Sequence, residues 1–558
     1  MRASVPLRAP VPLLAPVPLR ARWPLRSGVA LALFALLAVA CDPSATRPSS
    51  ASPSPSPAPS VAVASATPSA TPSATPAPTP AIVLRPLVPV TDFRAPWTET
   101  SAQEVAAVLA GTSERYSAIE VVEAQRFKVL AALGLGLPGD RTRFILAPDL
   151  GALKADLAAS RDRLAFLLAD DVDPSVRALG WAGAFLFGGD RVGAAADWPL
   201  QATFIEVEGS PSAVAPMRYD PATAWTLVAG GDILLDRGVA LAVGASSRGV
   251  DFPFDGGTVT ITSRCKDCSV FGWDLPRTER TGDEGAVRAL LSGADLAIAN
   301  FENPAPDAFK FHESGTVFSA DPALIEGLVN AGIDYLSLGN NHIRDAGARG
   351  ILDTIENLDG WGIAHSGAGA DLSAARTPAL LAAGGVTVAI LGYDTIAGGY
   401  FATADLAGSA PLTAENVRED VAVARAAGAG LVIVFPHWGT EYDPTPFAGQ
   451  RRLAEAAIDA GADMVIGNHA HWAAGMEIYK GKPIWYALGN FVFDQSWSEP
   501  TMEGITLELT FSGTELVQVR MRPHLILEKA QPNFMDPAGS GAVVMGQVWA
   551  ASEGLLDW

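Results

Sequence analysis

From residue 225 onward, short apolar runs alternate with segments whose apolar residues recur every three to four positions. The runs at 225–229, 295–299, 334–338, 386–391, 431–435, 463–466, 484–488 and 505–511 have the length and composition of buried strands. Between them lie helical patterns at 284–291, 322–331, 348–358, 414–427 and 450–460. This alternation predicts an α/β fold, a layered sheet with helices on its faces. The runs 505–511 and 516–521 flank Ser512-Gly513-Thr514 and predict an antiparallel hairpin.

Upstream, residues 84–219 mix helical patterns (102–110, 150–158) with short apolar runs (143–147, 163–168), which predicts a smaller α/β domain of unknown role. Asp170, Asp171 and Asp173 stand just before Pro174 and are expected as a solvated turn capping a helix that follows it. The larger domain is expected over 220–530, with 531–558 as a C-terminal tail.

The N-terminal pattern is of another kind. Residues 1–41 carry arginines at 2, 8, 20, 22 and 26, then an apolar stretch over 28–40 that ends at Cys41. That stretch is short for a membrane span, which needs about 20 residues. Ala38-Val39-Ala40-Cys41 resembles the lipobox of bacterial lipoproteins, which implies that Cys41 is lipidated and holds the protein on the extracytoplasmic face of the bacterial cell membrane. Residues 42–83 are almost wholly Pro, Ser, Ala and Thr and read as an extended tether.

Two cysteines remain, Cys265 and Cys268. Their spacing is half of a zinc site with no second pair in the chain, so in an exported protein a local disulfide is expected. The formal charge of −21 excludes a nucleic-acid-wrapping surface, which needs clustered Lys and Arg. It leaves an anionic substrate open, because a bound metal can reverse the field in one cleft.

The chemistry collects at strand ends. The chain has seven histidines, and His342, His437, His469 and His471 each follow an apolar run. Other runs lead into Gly230-Gly231-Asp232 and Asn300-Phe301-Glu302. In α/β sheets ligands gather at the carboxyl ends of strands. Imidazole, carboxylate and amide groups converging there are suited to a divalent metal. His312, His365 and His524 lack such a context and are expected to be ordinary surface or loop residues.

Over about 225–500 the ordered segments Gly231-Asp232-Ile233-Leu234-Leu235, Asn300-Phe301-Glu302, Gly339-Asn340-Asn341-His342-Ile343-Arg344-Asp345, Gly367-Ala368-Gly369, His437-Trp438-Gly439-Thr440-Glu441-Tyr442, Gly467-Asn468-His469-Ala470-His471 and Gly489-Asn490-Phe491-Val492-Phe493-Asp494-Gln495 resemble the capsule-synthesis CapA (poly-γ-glutamate synthesis) family. That family belongs to the calcineurin-like metallophosphoesterase superfamily. The resemblance implies one or two divalent ions (Mn, Mg or Zn). Asp232 and His471 would hold the first, Asn341, His437 and His469 the second, and Glu302 would bridge them. His342 would protonate a leaving oxygen. From the residues themselves, Arg344 and Asp345 are expected to bind substrate or pair at a helix start, Glu441 and Tyr442 to orient His437 or to be plain loop residues, and Asn490 to lie in a structural rim offering a substrate contact.

One departure stands out. The wider superfamily opens its site with Asp-x-His, and this chain has Asp232-Ile233-Leu234. Two functions follow. One is an envelope-anchored, metal-dependent phosphoesterase-type hydrolase of capsule or poly-γ-glutamate biosynthesis, working with that machinery. The other is a non-catalytic accessory of polymer assembly or export with a degenerate metal site.

Overall fold

A computed structural model describes residues 81–206, 215–396 and 398–558. The expected signal segment over 1–41, with Cys41, and the expected tether up to residue 80 lie outside the described residues.

Two sheets face each other in the larger part of the molecule. In the first, Trp225–Ile233 lies between Leu296–Phe301, which runs parallel to it, and Glu503–Ser512, which runs antiparallel. Tyr335–Ser337 extends this sheet beyond Leu296–Phe301. In the second, Val386–Asp394, Leu431–His437, Met464–Ile466 and Lys482–Trp485 run parallel in that order. Side chains alternate faces along each strand. Leu227, Ala229 and Ile298 therefore meet Ile390, Ile433, Phe435 and Ile466 in the core between the sheets.

The opposite faces bury the helices. Val228, Ala297 and Leu336 pack under Arg237–Ala245, Ala286–Ser292, Ile325–Ala331 and Gly347–Trp361. Val432, Val434 and Val465 pack under Ala414–Ala426 and Ala448–Asp459. The strands are apolar on both faces because both faces are covered, which is why they read as unbroken apolar runs. The result is the layered α/β arrangement expected from the pattern, with four layers. Helix starts follow local chemistry: the Thr413 hydroxyl accepts from Asn416 N at 3.0 Å ahead of Ala414–Ala426.

Residues 81–206 build a separate six-stranded sheet with its own core, including Leu87, Val90, Ile119, Phe166 and Leu167. Gln518 ties it to the larger sheet, accepting from Ala178 N at 2.6 Å and donating to Val176 O at 2.9 Å. The helix expected after Pro174 is instead a strand, Val176–Ala178, paired antiparallel with Ala81–Asp92. β-Branched Val176 and the open partner edge outweigh the capping pattern. Asp170 is used otherwise, its Oδ1 accepting from Arg218 N and Tyr219 N, both at 2.9 Å.

Residues 531–558, expected as a C-terminal tail, pack against the larger domain. Gln531–Phe534 pairs with Glu515–Leu527, and helix Ala542–Ala551 sends Val544, Met545 and Val548 into the core between the sheets. The expected hairpin is present as Glu503–Ser512 and Glu515–Leu527.

Candidate metal centre

At the carboxyl ends of the parallel strands the chain turns sharply, and glycine permits it. A Cβ on Gly231 would lie 1.8 Å from Gly489 O, and one on Gly467 would lie 2.3 Å from Tyr486 O. The two loops can pass only because those side chains are absent. Past Gly467, His469 and His471 adopt left-handed backbone with φ of 87° and 55°. Such conformations cost about 1–3 kcal/mol each and persist where surrounding structure enforces them. Here His469 N donates to Asp232 Oδ2 at 3.2 Å, and His471 Nδ1 donates to Asn490 Oδ1 at 2.9 Å.

Two groups of ligand-type atoms result, Glu302 with His437 and His469, and Asp232 with Glu302 and His471; within each, the atoms lie within 4.8 Å of one another. Glu302 is common to both, with Oε1 3.5 Å from His437 Nε2 and 3.7 Å from His471 Nε2. Asp232, Glu302, His437, His469 and His471 are all buried.

The electrostatics of this cluster are unfavourable without a cation. Burial drives the Asp232 carboxyl up to about 7. Burial, then the charges of Asp232 and Glu441, holds Glu302 well above the ordinary carboxyl range. Burial likewise lowers His469 to about 3 and His471 to about 4 and puts His437 well below its usual value, so all three imidazoles are neutral, and His469 Nδ1 lies 3.0 Å from His437 Nε2 in a mutual hydrogen bond. Both oxygens of Glu302 and Oδ1 of Asn341 are buried with no hydrogen-bond partner. Buried polar atoms are almost always paired, and a group of orphaned oxygens beside neutral imidazoles fits a divalent cation.

The remaining site residues divide by environment. His342 stays outside both groups: its Nδ1 donates to Asp345 Oδ2 at 2.8 Å and its ring lies 4.1 Å from that of Phe318. It is near enough that its charge disfavours protonation of His437, His469 and His471. Asp345 also accepts from Phe318 N at 2.7 Å, while Arg344 donates to Gly399 O at 2.8 Å; the two do not form the expected helix-start pair. Glu441 is exposed, and His437 is oriented instead by the Asn300 amide, which spans Asp232 Oδ1 at 2.7 Å and His437 Nδ1 at 3.1 Å. Asn490 is fully buried and fixes the His471 tautomer, so it is not a rim contact. His524 is no surface residue: it is buried, with Nε2 donating to Asn490 O at 2.8 Å. Leu234, at the position of the missing histidine, is buried with Phe318, Phe493 and Ile526. Cys265 and Cys268 are joined as a disulfide at the tip of a hairpin.

Sequence reasoning missed three contributors. Asn300 gave no signal beyond its place before Glu302. Asp394 ends the strand beside His437, and burial raises it to about 6. Arg237, in left-handed backbone at φ 45°, pairs with Asp494 and lies over the Phe318 ring at 4.6 Å; the Asp236-Arg237 pair opening a helix was its only trace.

Residues 226–495 match the model of the bacterial capsule synthesis protein family PGA_cap. The chain is 33% identical over 242 residues to the capsule biosynthesis protein CapA of Bacillus anthracis, covering 42% of this chain and 59% of that one. It is 34% identical over 228 residues to the PGA biosynthesis protein CapA of Bacillus subtilis (strain 168), covering 40% and 60%. The match thus spans about three fifths of these relatives' length. A 5'-nucleotidase precursor from Thermus thermophilus aligns with 59% of this chain and 58% of its own at 16% identity and a TM-score of 0.32, too low to carry an argument. Through residues 226–495, just under half of the chain, the protein is similar to the bacterial capsule synthesis protein family PGA_cap.

Proposed function

We propose that this protein acts in capsule or poly-γ-glutamate biosynthesis as a metal-dependent phosphoesterase-type hydrolase, held on the extracytoplasmic membrane face by a lipid on Cys41. The observation that carries the catalytic part is the orphaned Glu302 carboxylate shared by two ligand groups, with a separate imidazole, His342, beside them. Asp232, Glu302, Asn341, His437, His469 and His471 would hold the ion or ions. A divalent cation there supplies Lewis acidity and a water acidic enough to be a nucleophile near neutral pH. Asn490 accepts from His471 Nδ1 and so turns the lone pair of its Nε2 inward, while Asn300 holds the His437 ring through Nδ1. Asp345 holds His342 by Nδ1, which leaves Nε2 to give a proton to the departing oxygen.

A second reading is a non-catalytic accessory of polymer assembly. Leu234 favours it: an apolar contact replaces the imidazole that would complete the first ion's shell.

The test is metal analysis of the purified protein followed by a screen of phosphomonoesters, phosphodiesters and γ-glutamyl peptides with and without chelator. Metal-dependent turnover of a phosphoester supports the hydrolase, and bound metal without turnover supports the accessory. For the anchor, Cys41→Ser is expected to release the protein from membranes. Retention without acyl labelling of the wild type would contradict it.

A further inference from the structure

Beside the metal centre a run of aromatic rings leads from a ligand to the surface. The Tyr442 ring lies over His471, centroids 5.9 Å apart and planes at 28°. Trp497 meets Tyr442 edge-on at 5.0 Å. Trp273 lies 6.2 Å from both Trp472 and Trp497, and Phe271 lies 5.8 Å from Trp497. At the outer end Phe271 is 71% exposed and Trp273 40% exposed. Adjacent large aromatics left open to water mark a binding surface more often than a packing accident.

The loop carrying those two residues is held in place. The Cys265–Cys268 bond constrains its first turn, and the Cys265–Leu275 strand pair closes its base. Within it, Ser269 Oγ accepts from Phe271 N at 3.0 Å and from Trp273 N at 3.2 Å. Arg264 grips the Glu499 carboxylate with two hydrogen bonds of 2.6 Å, fastening the hairpin to the helix Glu499–Met502.

Phe271, Trp273, Arg264, Glu499, Glu503 and Gln547 line a cavity of about 750 Å³. Glu503 is 4% exposed, and its Oε1 has no hydrogen-bond partner. An unpaired oxygen in the wall of a cavity is unfavourable until a ligand satisfies it. Burial, then the charge of Glu499 and a hydrogen bond with it, raises this carboxyl to about 8, so near neutral pH it holds a proton shared with Glu499. Gln547 spends its amide N–H on Ala473 O at 2.7 Å.

Charge decides among ligands. Arg264 is paired with Glu499, so the cavity offers no free cation for a polyanion, while the exposed Asp274 carboxylate in the same wall can accept from a hydroxyl. The open end is a strip of rings and not a closed aromatic cage. Such a surface suits a chain of rings with apolar faces and hydroxyl edges. The net charge of −21 excludes nucleic acid as that chain.

We infer that the aromatic strip and its cavity bind a neutral saccharide segment and lead it to the metal centre, with Trp273 and Phe271 stacking on sugar rings and Glu503 taking a hydroxyl. This deepens the hydrolase reading by naming the polymer class that the same cleft receives.

The experiment is titration of the full-length protein, with metal and after chelation, against neutral gluco-, galacto- and N-acetylglucosaminyl tetrasaccharides and a γ-glutamyl tetrapeptide, read by calorimetry and tryptophan fluorescence. At least one saccharide is expected to bind with or without metal. Its affinity should fall about tenfold in Trp273→Ala, the loss of one good stacking contact. Glu503→Gln should weaken it less, because an amide still pairs with a hydroxyl. Unchanged melting curves and metal content in Trp273→Ala show that the fold is intact, and Phe271→Ala provides a second exposed position. Binding of none of the saccharides, saccharide affinity untouched by both Trp273→Ala and Phe271→Ala, or preference for the γ-glutamyl peptide would overturn the inference. Saccharide binding in a protein that hydrolyses nothing upholds it and counts against the hydrolase reading alone.

Discussion

Replacing Glu302 by glutamine should have opposite effects on the metal-free and metal-loaded protein. Glu302 is fully buried, both oxygens are unpaired, and its carboxyl is held well above the normal range by burial and by Asp232. A folded pKa raised above the unfolded value contributes stability that is complete below about 4.5 and is lost as pH rises toward the folded value. At pH 8 the chelated wild type therefore bears a cost, either an ionised buried carboxylate or a proton taken up against the pH. Glu302→Gln removes that cost, worth about 1–3 kcal/mol for an uncompensated buried polar group. The same substitution deletes the ligand common to both groups. Wild type at a metal concentration 100 times the dissociation constant gains about 2.7 kcal/mol by linkage, and the variant should gain nearly nothing. At about 2 °C per kcal/mol for a chain of this size, metal should raise the wild-type melting midpoint by roughly 5 °C. The variant should melt about 2–6 °C above chelated wild type with or without metal. The assay is thermal melting at pH 8 in chelator and in Mn²⁺, with metal content measured on the same samples. An equal metal shift in both proteins, or a chelated variant less stable than chelated wild type, would refute the argument.

Asn490→Ala removes the acceptor that fixes His471 through Nδ1, and metal affinity is expected to fall about 10–100-fold while the protein stays folded, measured by competition with a chromogenic chelator. Burial lowers His524 to about 4 from 6.5, so its contribution to stability is present above pH 6.5 and is lost as pH falls through 4, at most about 3 kcal/mol. Denaturant unfolding at pH 7, 5.5 and 4 should show His524→Gln losing less stability than wild type over that interval, and parallel losses would show that His524 does not titrate on unfolding.

The sequence carried the ligand-bearing strand ends because each is local: an apolar run, then a polar ligand-type residue within a few positions. Asp232, Glu302 and the histidines of Gly467-Asn468-His469-Ala470-His471 could be read that way. Their supports could not. Asn300 reaches His437 across 137 positions and Asn490 reaches His471 from a different loop, so both roles depend on how the two sheets stack. His524 read as ordinary because nothing near it in sequence shows that Glu515–Leu527 has a covered neighbour on each side. The strand after Pro174 was missed for a related reason, since its partner edge lies more than eighty residues upstream. The aromatic strip is assembled from four separate loops, each contributing one or two rings, and no single segment announces it.

The central claim is that the buried cluster is a working hydrolytic centre with His342 as its proton donor. The measurement that tests it most directly is the ratio of wild-type to His342→Asn turnover on two metal-supported substrates, a nitrophenyl phosphate ester and an alkyl phosphate ester. His342→Asn should keep its metal and its fold and slow the alkyl ester by roughly 10²–10⁴, the usual worth of a positioned general acid. It should slow the nitrophenyl ester much less, because that leaving group hardly needs the proton. Metal-loaded wild type that turns over neither ester, or a His342→Asn variant equally slowed on both, would contradict the account.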